Sequence, residues 1–100
     1  MKTQKRETVR EFEELPNVGK AVAADLRLLG FDSPWQLAGQ NPFDLFEELC
    51  RRTGTRHDPC MIDTFMAIVH FMDTGETRPW WSFTAERKVR QREGNNFWKS

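Results

Sequence analysis

Apolar residues recur along this chain at intervals of three and four, the spacing of one face of a helix. The alternation of β-branched residues that marks a strand is absent. Val9, Phe12 and Leu15 open the series, with Glu11, Glu13 and Glu14 outward, and predict a helix over 8–15. Val22, Leu26 and Leu29 predict a second over 20–29, and Phe43, Leu45, Phe46, Leu49 and Cys50 a third over 43–53. The most apolar stretch runs from Cys60 to Met72. There Ile62, Phe65, Met66, Val69 and Met72 form one stripe, which Ile68 and Phe71 widen. Asp63, Ala67, His70 and Thr74 predict a narrow, solvated polar stripe on the opposite side. A helix this apolar is either central to the core or covers a partner. The pattern predicts an all-α fold.

Punctuation between the periodic stretches agrees. Pro16 ends the first helix at or before Leu15, and Gly30 is placed to cap the second. Ser33-Pro34-Trp35-Gln36 is a capping box with proline at the first helical position, opening a short helix over 33–38. Asn41-Pro42 repeats the device. After Gly54, Asp58 is the expected N-cap and Pro59 the first residue of the apolar helix. Beyond Gly75, Arg78-Pro79-Trp80-Trp81-Ser82-Phe83 reads as an extended aromatic segment, and 84–92 as a basic helix capped by Thr84. Helix, hairpin, helix over 8–29 recurs loosely over 42–73, with 33–38 as the joint. Two such units packed together predict a five-helix domain over 8–76. Residues 1–7 would be a flexible basic arm, and 77–100 a Trp-rich basic extension partly packed on the domain.

Composition narrows the functions. One hundred residues suffice for one modest core. Fifteen basic residues balance fifteen acidic ones, which argues against a strong polyelectrolyte binder, since that affinity needs many cation–phosphate contacts. A localised basic patch is still compatible with this balance. No signal peptide and no apolar run of membrane-spanning length is evident, so a soluble cytoplasmic protein is expected. Two cysteines do not make a disulfide framework.

The chemistry-bearing candidates are few. Pro16-Asn17-Val18-Gly19-Lys20 leads into a helix, and successive N–H groups at such a start can hold a phosphate. The same residues could simply connect two packed helices. Cys50, His57, Asp58, Cys60 and His70 raise zinc, but Cys-x6-His-x2-Cys is not a structural zinc spacing. A Cys50–Cys60 disulfide is geometrically open. Cys60, in the first turn of a helix near Arg56 and His57, is a candidate reactive thiol of lowered pKa. Asp63 and His70 lie two turns apart, and no catalytic triad, carboxylate pair or nucleotide loop stands out, so the chain reads as a non-enzyme. Trp80 and Trp81 among arginines could stack on single-stranded bases or fold back into a groove, with arginines stacked on the indoles.

The run Leu15-Pro16-Asn17-Val18-Gly19-x-Ala21-x-Ala23-x-x-Leu26-x-x-Leu29-Gly30 resembles the helix-hairpin-helix motif of DNA-repair and recombination proteins. The chain is also similar to a small bacterial family of pathogenicity-locus or mitomycin-resistance-like proteins. That likeness rests on Leu15-Pro16-Asn17-Val18-Gly19, Leu37-Ala38-Gly39, Asn41-Pro42, Leu49-Cys50-x-x-Thr53-Gly54, Asp58-Pro59-Cys60 and Arg78-Pro79-Trp80-Trp81. It covers roughly 12–87. The motif resemblance implies a hairpin that grips one strand's phosphates through the N–H groups of Val18, Gly19 and Lys20, without reading bases. Lys20 would add charge at the phosphate, and Asn17 and Arg27 complete the candidate nucleic-acid-binding residues. It further implies a monovalent cation at the carbonyls of Glu13, Leu15 and Val18. Asn17 departs from the usual Pro-Gly-x-Gly, although asparagine tolerates the left-handed conformation. Two functions follow as expectations. One is a nucleic-acid-backbone module using the hairpin and cations from 2–10, 27, 51–56 and 78–92. The other is a protein-interaction adaptor acting through the 61–72 helix or the C-terminal tail.

Overall fold

The computed structural model describes residues 6–94. Among them lie four α-helices and four single 3-10 turns, with no strand. The helices are α1 (Lys20–Leu28), α2 (Pro42–Thr53), α3 (Cys60–Thr74) and α4 (Thr84–Arg92), and the turns are Arg6–Thr8, Phe12–Glu14, Pro34–Leu37 and Trp80–Phe83. The all-α class holds. The five-helix tandem does not, because its first helix is replaced by the two N-terminal 3-10 turns.

The reason is local. Glu14 turns its carboxylate back to accept the backbone N–H groups of Arg10 and Glu11, both at 2.8 Å. Glu11 sits in extended conformation, so the chain restarts there instead of continuing one helix. A helix over 8–15 would also have placed acids at its negative end. Val9, Phe12 and Leu15 are buried all the same, since a spacing of three suits 3-10 turns as well as helices.

The other boundaries fall close to their signals. Gly30 ends α1 with φ 98°, and its N–H reaches Arg27 O at 2.9 Å. Ser33 Oγ accepts Trp35 N–H at 3.3 Å and Gln36 Oε1 accepts Ser33 N–H at 3.0 Å, the predicted capping box, although the segment it opens is a 3-10 turn. Asn41 Oδ1 caps α2 through Phe43 N–H at 2.8 Å. Asp58 accepts Cys60 N–H at 2.8 Å, so α3 opens one residue later than predicted.

The centre of the molecule is α3. It packs against α2, Pro34–Leu37, Trp80–Phe83 and α4, so apolar side chains all round its axis find cover. Ile62, Phe65, Met66, Ile68, Val69, Phe71 and Met72 are buried, each such side chain contributing about 1.5–3 kcal/mol. The apolar excess of this helix is therefore core, and it leaves no broad docking face over 61–72. The predicted polar stripe holds only at its C-terminal end, where Thr74 is exposed and His70 half-buried. Asp63 and Ala67 are buried, because α4 and the turn before it cover that side.

Described parts of the two expected appendages pack on the domain. Arg6 is not part of a loose arm: its guanidinium donates to Met72 O at 3.1 Å and to Asp73 O, satisfying carbonyls at the end of α3. The segment after residue 77 closes the core, with Phe83 fully covered and Arg87 nearly so. Thr84 does not cap α4. It is the first helical residue, and its hydroxyl donates to Asp63 Oδ2 at 2.7 Å. Residues 1–5 and the Phe97-Trp98-Lys99 tail lie outside the described residues.

Candidate functional site

The Pro16–Lys20 hairpin is a tight turn followed by a bare helix start. Leu15 O accepts Val18 N–H at 3.2 Å, and Asn17 occupies the left-handed region at φ 70°. Proline second and a positive-φ residue third is the type II turn pattern. The predicted donors thus divide. Val18 N–H is spent on closing the turn, whereas Gly19 and Lys20 begin α1.

Gly19 is the N-cap of α1, and no side chain caps that end. Its φ of −102° with ψ −167° is extended backbone open to any residue. A Cβ built there meets nothing within 4 Å. Neither conformation nor packing within the chain therefore demands glycine at this position. The opening N–H groups of α1 have no carbonyl a turn behind them, and Lys20 is exposed beside them.

Glu11, Glu13 and Glu14 precede the hairpin and would repel a phosphate chain, but they are partly engaged. Arg27 binds Glu13 through two bonds of 3.0 Å and lies 3.8 Å from Glu11. The Arg27 hydrogen bond holds the Glu13 carboxyl below its usual range. Arg27 also lies over the Phe12 ring at 5.3 Å. It is a clamp on the turn before the hairpin, and in this arrangement it is not the free cation predicted. Leu15 O, one of the three carbonyls expected around a cation, is the acceptor of the hairpin turn.

Asn17 does something the sequence did not signal. Its carboxamide donates from Nδ2 to Arg78 O at 2.9 Å and accepts Trp80 N–H on Oδ1 at 3.1 Å. The hairpin is thereby clasped to the aromatic segment. Trp80 packs partly against the core, while Trp81 remains 64 % exposed. The two indoles meet edge-on, with centroids 5.8 Å apart. Arg78 stacks on Phe83 at 4.1 Å rather than on an indole.

Cys60 faces a cleft of about 300 Å³ shared with Asp25, His57, Asp58 and Trp80. A hydrogen bond to Asp58 pushes its thiol up from the usual 9.0, burial and the charges of Asp58 and Asp63 add to this, and Arg87 only opposes it. The expectation of a lowered pKa is overturned, because the nearest charges are carboxylates. Burial likewise raises Asp25, against the pull of His57. Cys50 and Cys60 are free thiols, and Cys50 is buried, accepting His57 N–H at 3.4 Å. Among the described residues no three histidines, cysteines or carboxylates gather as a metal site. No helix among them is long and apolar enough to cross a membrane.

An all-helical domain whose hairpin is tied to an aromatic closing segment is thus what the chain builds. Residues 5–89 match the model of the Cdd1 family, described as pathogenicity locus, and the chain belongs to that family. It is similar to the mitomycin resistance protein McrB of Streptomyces lavendulae, 39 % identical over 78 residues, which cover 78 % of this chain and 74 % of that protein. No solved structure matches it.

Proposed function

We propose that the chain is a helix-hairpin-helix-like module that holds nucleic-acid backbone at the start of α1 without reading bases. The observation that carries this reading is the uncapped N-terminus of α1. It opens on a glycine that nothing inside the chain requires, next to the exposed Lys20. Backbone amides and the positive end of the helix dipole favour a phosphate there. Glu13, three residues before Pro16, is paired with Arg27. The module is read as a binding protein, not an enzyme, since no catalytic triad, carboxylate pair or nucleotide loop stands out in its sequence. A role in damage resistance is in keeping with the relative's name.

A specific observation favours a second reading, a protein-interaction adaptor. Much of the surface arginine charge is already cancelled: Arg56 pairs with Glu47, Arg51 and Arg52 with Glu48, and Arg90 with Glu86. Such pairs leave less charge for phosphates.

Fluorescence anisotropy with short oligonucleotides at low salt, followed by salt titration, separates the two. Backbone binding gives a negative slope of log affinity against log salt, and Gly19→Val and Lys20→Glu both weaken it. Absence of binding at low salt overturns the proposal in favour of the adaptor. Binding unchanged by both substitutions moves the site away from the hairpin.

A further inference from the structure

We infer that the strand held at α1 is unpaired, and that Trp81 stacks on one of its bases. This rests on the backbone-binding reading above and adds the class of nucleic acid to it.

Three observations converge on Trp81. The first is that its indole is exposed yet stands on a fixed turn. Phe83 anchors that turn in the core and Trp80 packs against it. Arg78 Nε reaches Ser82 Oγ at 3.1 Å, and Ser82 Oγ donates to Pro79 O at 2.8 Å. Trp80 buttresses Trp81 edge-on. An aromatic side chain held this way gives up little freedom when a planar ligand settles on it.

The second is position. The Asn17 carboxamide bonds Trp80 N–H, Gly19 lies two residues beyond Asn17, and Trp81 one residue beyond Trp80. At about 3.8 Å between consecutive Cα atoms, phosphate-facing amides and exposed indole lie within the reach of a few nucleotides.

The third is charge. Zero net charge conceals an uneven distribution: over 78–92 Arg87 is paired with Asp63 and Arg90 with Glu86, which leaves the charge of Arg78, Lys88 and Arg92. Lys88 and Arg92 are exposed on α4, the helix that follows the Trp81 turn. The turn that carries Trp81 thus runs directly into a helix with exposed cations.

A duplex offers this indole nothing, since its bases already stack on one another. An unpaired base presents a free face, and stacking on an aromatic side chain is tolerant of sequence. The same juxtaposition that suits a strand with splayed bases leaves Trp81 idle on a duplex.

The test compares a short oligothymidine with a blunt duplex at low salt, using the full chain and its Trp81→Ala and Trp81→Phe variants. The exposed position keeps all three folded, which circular dichroism checks. The single strand should bind in preference to the duplex. Trp81→Ala should weaken it by about 5- to 100-fold, Trp81→Phe should restore most of the loss, and duplex binding should not move. Unchanged single-strand affinity in Trp81→Ala, or an equal loss on both probes, overturns the inference and leaves backbone binding standing. No binding of either probe by the unaltered chain overturns both.

Discussion

Arg87 Nε lies 2.8 Å from Asp63 Oδ1 inside the protein, and Asp63 has no exposed surface at all. Thr84 supplies the second carboxylate oxygen with a donor, and Gln91 Oε1 accepts from Arg87 Nη1 at 3.1 Å. This network joins the middle of α3 to α4. Removing one partner strands the other charge, whereas removing both leaves only a packing change. Asp63→Ala should therefore cost about 3–5 kcal/mol, and Asp63→Leu with Arg87→Met should recover much of it. Urea denaturation of the single and double variants checks this. A double variant no more stable than Asp63→Ala would mean the pair is not acting as a unit.

Asn17 serves two ends at once, a left-handed backbone and a side chain that holds the 78–80 segment. Asn17→Gly keeps the first and deletes the second. It should destabilise by about 1–3 kcal/mol, the worth of two hydrogen bonds, and raise amide exchange at Trp80. Asn17→Ala should cost more, because alanine also resists positive φ. Equal losses in the two variants would count against a backbone contribution.

Cys60 should behave as a sluggish thiol. With Cys50 replaced by alanine, its alkylation rate should rise with pH to a midpoint above the usual 9.0. Asp58→Asn should lower that midpoint, since the acid and its hydrogen bond are the leading cause of the shift. A midpoint below the usual value in the Cys50→Ala background would restore the reactive-thiol expectation.

Acid should loosen the surface clamps before the core. Glu13 and Glu48 are held below 4.5 by arginine hydrogen bonds, and Asp58 below 3.8 by the Cys60 N–H. Depressed carboxylates stabilise the fold above their unfolded pKa and lose that contribution as pH falls through the folded values. Asp25 runs the other way: its raised value makes the charged form costly, so protonation favours the fold. The urea midpoint should thus fall below about pH 4.5, with a shallower decline in Arg27→Gln. An identical acid limb in that variant would remove Glu13 from the account.

Sequence alone determined the all-helical class, all four α-helices to within two residues at either end, and the location of the hairpin. These rest on short-range chemistry: Asn41 and Ser33 cap the turns that follow them, and Gly30, Gly54 and Gly75 take the positive φ that ends each helix. A pattern of threes could not tell one helix from two 3-10 turns over 6–14, because both bury Val9, Phe12 and Leu15. Only the tertiary structure decided what the polar residues do. Asp63 reads as solvated in a helical pattern, and it is dry because Arg87, 24 residues away, brings the compensating charge. Asn17 reads as a weakened phosphate turn, and it is also a clasp for residues 61 and 63 positions further on. Such pairings depend on how helices pack across the core, and no local periodicity encodes them.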